Sequence, residues 1–151
     1  MDSLWITTPL GDLTLFADGA ALVAVAWGRG ADTPRTTGSD PLNRAADMLR
    51  SYFRDGRPDF NALNRDVGGT AFQRRVWTEL RAIPYGETRT YGQLAQKLGT
   101  SPRAVGMACG ANPLAIIVPC HRVVSRSGPG GYTGGHGVDT KTALLRLEGR
   151  A

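Results

Sequence analysis

Apolar positions concentrate in two short runs, Ser3–Thr8 and Asp12–Ala17, which read as strands. Pro9-Leu10-Gly11 lies between them and is a turn signal, so the pair reads as a hairpin. Ala20–Trp27 is apolar almost throughout and reads as a third strand. The period then changes. From Leu42 to Phe53 the apolar residues Ala45, Met48, Leu49, Tyr52 and Phe53 recur at helical spacing, and Asp55-Gly56-Arg57-Pro58 stops the run. Residues 28–41 are loop by composition. Residues 56–69 have no clear period, read as a linker, and place a domain boundary between 1–66 and 67–151.

The second part is helical in pattern. Thr70 is placed to cap a helix carrying Phe72, Val76, Leu80 and Ile83, ended by Pro84-Tyr85-Gly86. Thr90 is placed to cap Tyr91–Leu98, with Gly99 as the C-terminal stop. Ser101 caps a third helix, with Pro102 at its first position and a run to about Ala111. Two short helices joined by Gly-Thr-Ser have the spacing of a helix-turn-helix. Ala115–Val118 is an apolar run leading into Pro119-Cys120-His121-Arg122-Val123-Val124. Residues 125–137 are rich in glycine and read as a loop that lets something approach the backbone closely. Asp139 is placed to cap a last helix through Leu144, Leu145 and Leu147. The fold class is therefore α+β: a small N-terminal sheet-plus-helix domain, then a mostly helical domain with a helix-turn-helix.

Composition narrows the function classes. The longest apolar stretch, Ala20–Trp27, is far short of the roughly 20 residues of a membrane helix. Met-Asp-Ser-Leu-Trp has no basic region before an apolar run, so neither a signal peptide nor a membrane partner is expected. Cys109 and Cys120 are too few for a disulfide scaffold, and with only His121 and His136 beside them no zinc spacing exists. A cytoplasmic or nucleoid-associated chain with reduced thiols, no metal and no cofactor is the expectation. Charge divides unevenly. Residues 1–66 hold seven Arg and nine Asp, whereas residues 67–151 hold nine Arg and two Lys against four acids. A basic C-terminal half suits a polyanionic partner, although sixteen arginines among eighteen basic residues also fit a chain that prefers Arg everywhere.

Cys120 beside His121 is the candidate chemistry. A thiol attacks as thiolate, and an imidazole or a helix N-terminus is how proteins generate one. Adjacent side chains often point apart, so a buried cysteine beside a surface histidine is the bland alternative. Glu148 is an acid that could orient an imidazole, or a solvated residue near a helix end.

Pro119-Cys120-His121-Arg122-Val123 resembles the active-site motif of the O6-alkylguanine-DNA alkyltransferases, the methylated-DNA–protein-cysteine methyltransferases. Phe72-Gln73, Val76-Trp77, Leu80 and Ile83-Pro84-Tyr85-Gly86-Glu87-Thr88 resemble the opening of that family's C-terminal domain. Thr90-Tyr91-Gly92-Gln93-Leu94-Ala95 and Arg103-Ala104-Val105-Gly106 resemble its two helix-turn-helix helices. Asn112-Pro113, Ile117-Val118, Gly131-Tyr132-Thr133-Gly134-Gly135, Leu144-Leu145 and Glu148-Gly149 complete the series, which covers about residues 70–149 in the family's order.

That resemblance implies a protein that flips O6-alkylguanine, and less well O4-alkylthymine, out of duplex DNA and moves the alkyl group irreversibly to its own cysteine. Cys120 would be the nucleophile. His121 would act as base through a water, oriented by Glu148. Tyr91 would donate toward N3 of the guanine, and Asn112 would hold the turn into an active-site strand. Arg103 would fill the space of the flipped base, with Ala104, Gly106, Thr90 and Arg122 also facing DNA. Backbone groups at Cys120, Val123 and Thr133 would meet the guanine edge, and Tyr132 would wall the pocket. The implied partner is double-stranded DNA, bound in the minor groove with little sequence preference by a monomer. Cys109 is expected to be a small buried residue rather than a second reactive thiol. A non-catalytic sensor of alkylated DNA, a transcription regulator and a Cys-His thiol hydrolase are the competing functions.

Overall fold

The computed structural model describes residues 2–28, 40–54 and 56–149. Residues 29–39, most of the loop expected at 28–41, lie outside that set. The chain divides into two compact units, Met1–Val67 with Pro113–Ile117, and Gly68–Asn112 with Val118–Ala151.

In the first unit three antiparallel strands, β1 (Asp2–Thr8), β2 (Gly11–Asp18) and β3 (Ala21–Trp27), pair in chain order. Register sets Ile6 against Leu13, Leu4 against Leu15, and Leu15 against Val25. The alternation therefore collects Leu4, Ile6, Leu13, Leu15 and Val25 on one buried face. Helix α1 (Asp40–Phe53) covers that face with Leu42, Ala45, Ala46, Leu49 and Tyr52, the stripe its 3.6-residue period creates. Met48 and Phe53, also expected on the stripe, are half-buried at its edge.

The stretch 56–69 is not the free linker its composition suggests. Phe60–Ala62 forms one 3₁₀ turn, and Leu22 exchanges hydrogen bonds with Asn64 and Asp66. Val25 likewise bonds to Pro113 and Ala115. Two short parallel bridges thus cover the outer edge of β3, which would otherwise leave backbone groups unpaired.

The second unit is helical. Helices α2 (Ala71–Arg81) and α3 (Tyr91–Leu98) begin with the same device: Thr70 with Gln73, and Thr90 with Gln93, form complete capping boxes. Gly99 closes α3 in the left-handed conformation, at φ 69°, where a Cβ would be strained. Ser101 caps α4 (Pro102–Gly110), with Pro102 in its first turn. Trp77 of α2 is buried and donates its indole N–H to Ala108 O of α4 at 2.9 Å. Between β4 (Arg89–Thr90) and β5 (Val123–Val124) runs a two-residue parallel pairing.

The last helix, α5 (Val138–Leu147), departs from expectation at its start. Gly137 is the N-cap and no side chain caps it. Asp139 lies inside the first turn, where its charge favours the helix dipole rather than capping an amide. Among the described residues no helix is long and apolar enough to cross a membrane.

Candidate active site

Pro119 (φ −83°, ψ 66°) turns the chain so that Cys120 N–H donates to Val118 O at 2.8 Å, an inverse γ-turn. Cys120–Arg122 then make a single 3₁₀ turn. This corrects the expectation of a strand at the cysteine, since only Val123–Val124 are extended. Three residues per turn separate successive side chains by about 120°. Cys120 accordingly stays partly accessible while His121 and Arg122 are buried.

Glu148 organises the buried side. Its side chain is fully enclosed at the end of α5. Oε2 meets His121 Nε2 at 2.7 Å and accepts from Arg122 Nη2 at 3.2 Å. Oε1 accepts from Arg122 Nε at 2.8 Å and from Gly86 N–H at 3.3 Å. A carboxylate so supplied with donors is ionised, and the His121 proton belongs on Nε2. His121 Nδ1 is also buried and meets no protein hydrogen-bond partner among the described residues. Burial holds the imidazole below its ordinary range against the opposing pull of Glu148, with Arg122 and Lys141 adding to the lowering.

The Cys120 thiol is pushed up by burial, opposed by a hydrogen bond from the Asn112 side chain, by Lys141 and by a backbone amide. At rest it is a thiol, and it needs a base to become a nucleophile. The Asn112 amide also donates to Val118 O at 2.7 Å, so one side chain steadies both the turn and the sulfur.

Tyr91 opens α3. Its phenol is pushed up to about 12 by burial first and by the neighbouring Cys109 and Cys120 thiols second, so it keeps its proton. The Lys141 ammonium donates to the Tyr91 hydroxyl at 3.2 Å and to Gly131 O at 3.0 Å, and lies 5.4 Å from the ring centroid. Burial pulls Lys141 below its ordinary range, and the two cysteines oppose this.

The remaining expected residues divide. Arg103 is exposed near the start of α4, and Ala104 receives the Ser101 cap. Gly106 faces the Tyr91 ring, which a Cβ there would approach to 3.9 Å. Thr90 Oγ accepts from Gln93 N–H, so the hydroxyl serves the cap. Tyr132 is half-buried and Thr133 exposed in the glycine-rich loop. Val123 is fully buried and its N–H donates to Cys120 O, so that amide is not available to a base.

Arg122 is a clear correction. It was expected to face DNA, but its guanidinium is locked on Glu148 and on Ile83 O at 2.8 Å, over the Tyr85 ring. Cys109 is half-buried rather than enclosed. Its thiol is raised to about 12 by burial first and Cys120 second, which leaves it protonated and a poor nucleophile.

Lys141 was missed. A signal was present: Lys141, Leu144, Leu145 and Glu148 fall at i, i+3, i+4 and i+7, so both charges lie on the apolar stripe of α5. Charged residues on a buried stripe are rare unless paired. No three His, Cys, Asp or Glu side chains converge as metal ligands among the described residues.

A family model described as 6-O-methylguanine DNA methyltransferase, DNA binding domain, matches residues 71–150. The chain belongs to that methyltransferase family. A methylated-DNA–protein-cysteine methyltransferase of Mycobacterium bovis is 44% identical over 150 residues, spanning 95% of this chain and 89% of its own. One from Salmonella typhimurium is 42% identical over 162 residues, spanning 95% and 93%. Among solved structures, the Mycobacterium tuberculosis protein crystallised in complex with DNA superposes with a TM-score of 0.87 at 42% identity, over 100% of this chain and 95% of that one. The Methanococcus jannaschii O6-methylguanine DNA methyltransferase gives 0.72 at 32% identity, over 96% and 92%. The α+β class expected for the chain is that of these methyltransferases. The family match contains the whole buried cluster from Tyr91 to Glu148.

Proposed function

We propose that the protein repairs alkylated DNA by moving the alkyl group of O6-alkylguanine to Sγ of Cys120. The observation that carries this reading is the buried, doubly held Glu148–His121 pair with an unpartnered Nδ1, next in sequence to a thiol that burial keeps protonated.

The steps follow from those groups. The Cys120 S–H proton passes through water to His121 Nδ1, and the imidazolium formed is held by Glu148. The thiolate attacks the alkyl carbon in line with O6, a C–S bond forms, and the C–O6 bond breaks with its electron pair leaving on the guanine. Tyr91 donates its proton toward N3, and Lys141 supports the phenol oxygen as it does so. The products are guanine in DNA and an S-alkyl cysteine. A thioether has no leaving group that these residues could activate, so each chain acts once.

DNA is the partner this chemistry requires. The O6 substituent lies within the base stack, so the nucleotide must leave the helix at a cost of a few kcal/mol. Arg103, exposed on α4, would occupy the gap and offset that cost. The basic half supplies sequence-independent attraction to phosphates, and a minor-groove approach with little base preference suits a lesion that occurs anywhere. A reducing compartment such as the cytoplasm keeps Cys120 available.

Mass spectrometry after mixing with duplex DNA holding O6-methylguanine tests the reading. One added methyl on Cys120 is expected. Cys120→Ser should bind the duplex but gain no methyl, while Cys109→Ser should be methylated normally. A stable but unmodified complex of the native chain would make it a sensor instead.

A further inference from the structure

We infer that Arg122 is a positioning residue of the transfer reaction: its guanidinium, locked on Glu148, keeps His121 a neutral imidazole that is ready to take the Cys120 proton. This rests on the reading of His121 as base given above.

The argument starts from charge. A buried carboxylate facing one imidazole favours the imidazolium, because opposite charges at hydrogen-bond distance stabilise each other. Such a pair would take a proton from solvent and then have no room for the one on Cys120. Glu148 does not face His121 alone. Arg122 reaches both of its oxygens, at 2.8 Å and 3.2 Å, and the Gly86 amide adds a further donor. A guanidinium stays charged throughout the accessible pH range and matches a carboxylate in this forked geometry. The charge on Glu148 is therefore balanced before His121 gains a proton.

The surroundings of His121 complete the account. Glu148 and Lys141 face it from α5, and Cys120 and Arg122 come from its own turn. A proton from solvent would add one uncompensated charge to a buried site already holding two cations. A proton from Cys120 leaves a thiolate behind and adds no net charge. Arg122 thus biases His121 toward the cysteine's proton over the solvent's. The direction of the His121 shift agrees: burial dominates, Glu148 opposes it, and Arg122 adds to the lowering.

The test uses the full chain, with Arg122→Met to remove the charge and Arg122→Lys to restore it. Imidazole NMR follows the titration of His121. The pH dependence of Cys120 alkylation by the free base O6-benzylguanine follows the chemistry without DNA. In the native protein His121 should titrate below 6.5, its ordinary midpoint. In Arg122→Met the His121 titration and the acid limb of the rate profile should move up together by about one pH unit, a tenfold loss of rate at fixed pH on that limb. Arg122→Lys should recover most of the shift. A purely structural arginine would lower the rate equally at every pH and leave the limb in place, and that result overturns the inference. Should Arg122→Met not fold, the native titration and the Lys variant decide: native His121 charging at or above 6.5 is the contrary outcome. Absence of any Cys120 alkylation in the native chain would overturn the repair reading, whereas the NMR titration reports on Arg122 regardless.

Discussion

The Tyr91 hydroxyl accepts a hydrogen bond from the Lys141 ammonium across 3.2 Å, so its own proton is directed elsewhere. A phenol whose oxygen already faces a cation gives up its proton more easily, because the developing phenolate has its counter-charge in place. Lys141→Met should therefore slow alkyl transfer by about tenfold, a part of the roughly 10²–10⁴-fold that a positioned acid supplies. Folding should survive, since methionine fills a similar volume and removes a desolvated charge. Single-turnover rates beside thermal melting separate the two effects. An unchanged rate in a folded variant would remove Lys141 from the reaction.

Stability should fall on the acid side through His121. Its folded midpoint lies below the ordinary 6.5, so between those two values the unfolded chain binds a proton that the folded chain refuses. Stability contributed by the neutral imidazole is present above 6.5 and is lost as pH falls toward the folded midpoint. The slope cannot exceed about 1.4 kcal/mol per pH unit for one proton. Urea unfolding of native and His121→Gln chains at several pH values isolates this group, and parallel curves would refute it.

Arg103 and the reacting atoms should be separable. Arg103→Ala should weaken action on duplex DNA by about tenfold, in the range of a lost charged contact, and leave alkylation by free O6-benzylguanine nearly unchanged. Native affinity for unrelated duplexes should fall steeply with salt and vary little with sequence. Strong preference for one undamaged sequence would favour a transcription regulator.

Gly130 is required by Tyr91. It sits at φ 77°, and a Cβ there would lie 2.8 Å from Tyr91 Cε2 and 3.1 Å from its hydroxyl. Gly130→Ala should cost about 1–3 kcal/mol through backbone strain alone and should displace the phenol, lowering the transfer rate. Gly128→Ala meets nothing within 4 Å and should be close to neutral. Equal behaviour of the two variants would contradict this.

Local chemistry was legible along the chain where a rule acts within a few residues. Thr70, Thr90 and Ser101 cap the helices expected of them, and Gly99 ends α3. The ordered motifs of residues 70–149 pointed to the family. What escaped depends on residues far apart in sequence. Arg122 and Glu148 are separated by 26 positions and Gly86 and Glu148 by 62, so no spacing announces their meeting. An arginine beside a basic, DNA-directed segment reads as a phosphate contact until its partner is seen. The pairing of β3 with 64–66 was hidden because two hydrogen bonds need no periodic sequence. Asp139 was misplaced because a capping acid and a first-turn acid differ by only two positions.

One helix sets the distance between the two ends of the chemistry. Lys141 on α5 and Glu148 at its C-cap stand seven residues apart, about two turns and about 10 Å of axial rise. In the proposed reaction Lys141 would serve the phenol on the leaving-group side, and Glu148 the imidazole on the nucleophile side. Deleting one residue between them would rotate one charge about 100° around the axis relative to the other. No rotamer change could return both to their partners. The interval 141–148 is therefore a fixed ruler, intolerant of any change in length, whereas a loop tip such as Arg126-Ser127 is exposed and carries none of these contacts. A scan of single-residue insertions would map that contrast along the gene.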